Sequence, residues 1–150
     1  MERMERSSDD GFTLIELMVV VLIIGILIAM ALPTMLGART RAHDRAAQAY
    51  IKYALTAEKV YYTDGQVYSS VPADMDAIES SVSYQDGDTP LTEGQVYLHV
   101  HPIPNELYIS VMSGSGTCFY VREIDGGGVT YADDATCGVA DSQTFTTTTW

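Results

Sequence analysis

Two features of this chain combine residue types and spacings that could do chemistry. The first is Gly11-Phe12-Thr13-Leu14-Ile15-Glu16, followed at 17–32 by sixteen uncharged, almost wholly apolar residues. A carboxylate at the edge of an apolar run is expensive to place in lipid, by about 2.5 to 3.5 kcal/mol for a charged group at mid-helix. Glu16 therefore needs a partner and reads as functional; the bland alternative is a side chain that snorkels to the interface as the last polar residue of a plain anchor. The second feature is Cys118 and Cys137, the only cysteines. An even pair in an exported domain points to one disulfide, which closes about 20 residues and stabilises by around 3 kcal/mol in the chain-entropy picture. Buried free thiols are the alternative, and two cysteines this far apart do not support metal ligation.

Catalytic chemistry has little support elsewhere. His43, His99 and His101 are the only histidines. His99 and His101 would share one strand face, but no third ligand or nucleophile is placed near them. Gly114-Ser115-Gly116 is not a G-x-S-x-G elbow, and Asp125-Gly126-Gly127-Gly128 lacks the strand-to-helix setting of a phosphate loop. Asp86-Gly87-Asp88 and Asp133-Asp134 offer hard oxygen ligands but match no EF-hand loop, and aspartates that form turns explain them more simply. Tyr50, Tyr53, Tyr61 and Tyr62 stand at helical spacing, where aromatic residues are far more often core than an electron path. No cofactor, no metal and no enzymatic activity are expected.

The elements that position Glu16 begin with the apolar run itself, which extends over 12–36 and holds one charge, one glycine (Gly25) and one proline (Pro33). Its 25 positions would span about 37 Å as a helix, enough to cross a hydrocarbon core of roughly 30 Å. A soluble core helix would carry a polar stripe, and residues 17–32 carry none. An ordinary secretory signal fits poorly, because residues 1–10 set Arg3 and Arg6 against four carboxylates. A cleavage site at Ala29-Met30-Ala31, releasing a soluble chain from Leu32, is the rival; Pro33 just beyond that bond and Glu16 within the apolar region count against it.

These residues, from Gly11 through GFTLIELMVVVLIIGILIAMALP to about Ala47, resemble the N-terminal signature of type IV pilins and the related pseudopilins of type II secretion. The resemblance implies a leader over 1–11, cut by a prepilin peptidase between Gly11 and Phe12, with the new amine on Phe12 methylated. It implies that the Glu16 carboxylate meets the Phe12 amine of a neighbouring subunit, so that two charges neutralise each other in an apolar filament core. Gly25 and Pro33 fall at the family's positions and are the expected helix breaks, since glycine costs about 1 kcal/mol in a helix and proline removes a backbone bond. The leader departs from the family's usual basic character, with two arginines against four carboxylates. Arg39, Arg41 and Arg45 on the far flank would by the positive-inside rule hold the C-terminal domain in the cytoplasm. The motif, which demands the opposite orientation, and the cysteine pair override that rule.

Beyond the apolar run, helical character continues over 37–63, with Ala46, Tyr50, Tyr53, Ala54, Ala57 and Tyr61 forming a stripe that can pack on a sheet. Thr63-Asp64-Gly65 ends it, and a polar connector over 64–94 follows, with one short helical turn near 73–80. Strand-like runs at 95–101, 107–112, 118–124 and 129–132 are separated by loops short enough for antiparallel hairpins. The tail at 142–150 is either a frayed end or a last edge strand. The expected fold is α+β: a long N-terminal helix, its first half in membrane or filament core, laid across a small antiparallel β-meander head at 95–150.

Charge divides sharply along the chain. The net charge is -12, and from residue 61 onward thirteen acidic residues face one arginine, Arg122. Such a head has no basic face for nucleic acid. The sequence thus describes a structural subunit. It would be an inner-membrane single-pass precursor that partners a prepilin peptidase, an assembly platform and copies of itself in a helical filament, ending in an extracellular pilus or envelope fibre. A major pseudopilin of type II secretion is the near alternative, and a membrane-anchored binding or adhesin domain that never polymerises is the alternative of another class.

Overall fold

A computed structural model describes residues 11–101, 105–125 and 128–150; the leader at 1–10 and the loop centres at 102–104 and 126–127 lie outside the described residues. Helix α1 runs from Leu14 to Gly65. The chain divides into two compact units, Met1–Ala38 and Arg39–Trp150.

In the first unit every residue from 11 to 36 is exposed. Leu14, Met18, Leu22, Leu27 and Met35 are exposed apolar side chains spread around the helix. A helix that is apolar all round must be buried by lipid or by other helices. The breaks expected at Gly25 and Pro33 do not interrupt α1: both positions are helical. One proline deletes a single backbone donor, and the turns on either side retain theirs.

In the second unit, the α1 segment after Ala38 lies on a five-stranded sheet in the order β1 (Ser83–Asp86), β2 (Gln95–His101), β3 (Glu106–Met112), β4 (Cys118–Ile124), β5 (Gly128–Asp134). Strands β2 to β5 pair antiparallel, as the hairpin spacing predicts. The sheet is mixed, however, because β1 pairs parallel with β2, Ser83 opposite Gln95. This strand lies inside the stretch read as connector. It has only four residues, so the loop at 87–94 can return to the start of β2 without the crossover helix a longer parallel pair needs. That loop is pinned: Gly87 N–H donates to the Leu98 carbonyl at 3.0 Å, and Gly94 N–H to that of Met112 at 3.0 Å. The short helical turn is α2, Pro72–Asp76.

Alternation along each strand sorts side chains to two faces. Val96, Leu98, Leu107, Ile109, Val111 and Val121 face the helix, while Tyr108, Cys118, Tyr120 and Ala132 form a second cluster on the other face with Phe145. The helix side of the main core is Ala47, Ile51, Ala54, Leu55, Ala57 and Glu58, with Tyr50 and Tyr61 half-buried at its margins. The expected stripe is therefore turned: Ala46 and Tyr53 face outward, and the aliphatic Ile51 and Leu55 take the centre. Tyrosine suits a margin, where its ring is covered and its hydroxyl reaches water. The tail is tied by one antiparallel bridge, Tyr131 N–H donating to the Thr147 carbonyl at 2.8 Å, and Trp150 stacks edge-on against Tyr131 and Phe119.

Cys118 and Cys137 form a disulfide that joins β4 to the segment following β5. The ring closes across a sequence separation of 19. Replacing both cysteines by serine is expected to cost about 3 kcal/mol and to lower the melting temperature of the detergent-solubilised full chain by roughly 10 °C. A melting curve unchanged by the double replacement would refute this.

Candidate functional site

The start of α1 is built by its own side chains. Thr13 precedes the first helical residue, and its hydroxyl accepts the Glu16 N–H at 3.3 Å. Glu16 stands three residues beyond this cap, in the first helical turn, where carboxylates complement the positive end of the helix dipole. Thr13-Leu14-Ile15-Glu16 is thus a T-x-x-E capping box by sequence and half of one by geometry. Lipid cost, not capping, singles out Glu16 in the sequence, and on that ground Thr13 goes unmarked. The T-x-x-E spacing was the signal that could have found it. Gly11 and Phe12 lie just ahead of the cap as exposed, non-helical chain.

The second unit brings together groups that sequence reasoning did not join. Asp44 of α1 accepts hydrogen bonds from the hydroxyls of Ser113, at 2.8 Å, and Ser115, fastening the β3–β4 turn to the helix. His43 faces Glu93 at 3.8 Å beside it, and a side chain at Gly114 would press on both, its Cβ only 2.6 Å from His43 Nδ1. On the far face of the sheet, His99 and His101 do share one strand face, with ring centroids 5.1 Å apart and Asp141 3.6 Å from His101. Among the described residues no group of three or more His, Cys, Asp or Glu side chains is close enough to hold a metal ion.

Glu58 is the least expected member of the core. It is fully buried, and one carboxylate oxygen accepts the Ser69 N–H at 3.1 Å while the other has no partner. Burial raises its pKa from 4.5 to about 7; the Ser69 N–H works against that rise, and the Asp74 and Glu123 charges add to it. Glu123 is engaged by Lys59 at 3.3 Å, and Arg122 by Glu106 at 3.0 Å, so two of the basic residues are spent inside the unit.

An uncovered apolar helix with a capped acidic start defines a class, and residues 6–32 match the model of the prokaryotic N-terminal methylation motif. The chain carries the N-terminal signature that type IV pilins share with type II secretion pseudopilins. It is similar to the type IV wide pilus major component PilA4 of Thermus thermophilus, 45% identical over 60 residues, which are 40% of this chain and 46% of that protein. Similarity to the type IV major pilin protein PilA of Myxococcus xanthus is 44% over 59 residues, 39% of this chain and 27% of that protein. Similarity to the type II secretion system core protein G of Pseudomonas aeruginosa is 37% over 75 residues, 50% of this chain and 53% of that protein. The matches thus span about half or less of these relatives' own lengths. The motif and the apolar helix fit a membrane-anchored precursor.

Proposed function

We propose that this chain is a structural subunit of a type IV pilus, cut between Gly11 and Phe12, methylated on Phe12 and polymerised through residues 12–36. The observation that carries the reading is the apolar surface of 11–36, exposed on every side and bearing one carboxylate, Glu16, at its capped end. Lipid can cover that surface in a stored precursor, and sister helices can cover it in a filament. In the filament the Phe12 amine of one copy would offset the Glu16 charge of the next, setting axial register. The chain's part would be structural and not enzymatic, with prepilin peptidase and an assembly platform as its other partners.

A pseudopilin of type II secretion is a second reading, favoured by the longer stretch of similarity to core protein G. Shearing separates the two, because surface fibres favour the pilus and material confined to the envelope favours secretion. Processing is read by intact mass and N-terminal sequencing of the protein from native membranes and from the sheared fraction. The expected chain begins at Phe12 and carries one extra methyl group. A chain beginning at Met1 or Leu32 would replace the proposal by an uncleaved anchor or a secreted domain, respectively.

A further inference from the structure

Three arginines open the α1 segment of the second unit. Arg39, Arg41 and Arg45 follow within nine residues of Leu36, the end of the apolar run, and all three are exposed. Among the described residues none of them pairs with a carboxylate: Arg45 donates to the Gln48 side chain at 3.1 Å, whereas Lys59 and Arg122 are held by Glu123 and Glu106. Arg41 and Arg45 line a surface groove of about 450 Å³ with Phe119 and Trp150, but Asp44 and Asp133 line it too, so the charge of the groove selects no acidic occupant. Asp44 is itself engaged by the hydroxyls of Ser113 and Ser115. What sets the three arginines apart is their place in the chain and around the helix. A helix turns about 100° per residue, so Arg41 and Arg45 share one side while Arg39 lies about 160° round from Arg41. Between them, His43, Asp44 and Ala47 are turned to the rest of their own unit.

We propose that Arg39, Arg41 and Arg45 bind phospholipid phosphates while the subunit is anchored in the membrane; this rests on the anchored-precursor reading above. Continuity with the apolar run selects that occupant. Residues 12–36 need hydrocarbon on every side, so the residues that follow them along α1 meet the headgroup layer. A headgroup layer surrounds a helix and therefore meets both Arg39 and the side that carries Arg41 and Arg45. A protein partner docked on one side would leave the other unanswered. The guanidinium fork matches a phosphate bidentately, and the long stem lets an arginine reach back to phosphate level from the first turns beyond the hydrocarbon. The rest of the unit narrows the choice of contact further. Thirteen acidic residues from residue 61 onward are repelled by an anionic membrane surface, which leaves the arginines at the start of the unit as the part that such a surface attracts.

The test uses the full chain, isotope-labelled at its arginines, in vesicles of phosphatidylethanolamine and phosphatidylglycerol made up in phosphate-free buffer. Solid-state NMR reads how far lipid phosphorus dephases the guanidinium carbons, which requires direct contact. Arg39→Gln alone, and the pair Arg41→Gln with Arg45→Gln, should each remove part of the dephased signal. The triple variant should keep only what Arg3, Arg6 and Arg122 contribute. Glutamine at three exposed positions leaves the core untouched, so the triple variant should melt with wild type. A component lost in only one of the two partial variants overturns the inference, because a layer around the helix must reach both sides. The same dephasing from wild type in a maltoside detergent, with inorganic phosphate and no lipid, overturns it as well and assigns the arginines to the free ion. A chain that fails to float with the vesicles takes the anchored reading down together with this one. A chain that floats with them, yet shows no dephased component that the variants remove, takes down this one alone.

Discussion

Replacing Glu16 by glutamine is expected to stop fibre assembly while the subunit remains processed and in the membrane. Glutamine keeps what the cap needs: T-x-x-Q serves as a capping box as T-x-x-E does, and the Thr13 hydroxyl still accepts the backbone N–H of residue 16. What glutamine removes is the charge. In an apolar filament core the Phe12 ammonium of a neighbouring copy would then be stranded, and breaking a buried pair by deleting one partner costs about 3 to 5 kcal/mol. That corresponds to a loss of roughly 100-fold or more in subunit association. Glu16→Ala loses the same charge and the side chain's bulk, and leaves the Thr13 cap bond in place because that bond uses the backbone N–H of residue 16. Sheared fibre and membrane-resident subunit, measured side by side, separate the roles. If the glutamine variant assembles normally and only alanine is defective, Glu16 serves its own helix and the inter-subunit pair is wrong. If both variants display normally with no fibres in wild type, the chain is an anchored domain that does not polymerise.

The legible parts of the molecule were those with a strong local period or a decisive cost. Residues 12–36 announce themselves because a helix without a polar stripe must be buried on every side, and β2 to β5 because alternation such as Leu107, Ile109, Val111 is broken by short glycine- or proline-bearing turns. Strand β1 was not legible: Ser83-Tyr84-Gln85-Asp86 has one buried side chain and takes its extended form from the open edge of β2. Ala54 and Ala57 of the expected stripe lie in the core, but its centre falls on Ile51, Leu55 and the buried Glu58 and not on the tyrosines. Helical spacing alone cannot distinguish a face centred on Ile51 and Leu55 from one centred on the tyrosines beside it. Glu16 was found because lipid makes a lone carboxylate costly, whereas Thr13 and Asp44 are ordinary residue types whose roles arise only when the cap and the Ser113–Ser115 turn are in place. The groove around Phe119 depends on long-range packing and leaves no local pattern at all.

Glu58→Gln is expected to make the chain more stable above neutrality and nearly indifferent to pH between 5 and 8, relative to wild type. In the unfolded chain the Glu58 carboxyl releases its proton near 4.5; in the folded unit, burial holds that proton until about pH 7. Below the lower value the group is neutral in both states and imposes no charge penalty. As pH rises between the two values, the unfolded chain ionises and the folded chain does not, so stability falls, by on the order of 3 kcal/mol in all. The cost persists above the folded value, where the folded unit holds a charge with the Ser69 N–H on one oxygen and nothing on the other. Glutamine occupies nearly the same volume, keeps an acceptor for Ser69 and cannot ionise. Melting of the two full chains in detergent, compared at pH 5 and pH 8, should show wild type losing roughly 10 °C that the variant keeps. Ionisable groups remote from Glu58 are common to both chains and cancel in the difference. Parallel melting curves across that range would mean that Glu58 is ionised and compensated in the folded unit, and the buried neutral acid would have to be abandoned.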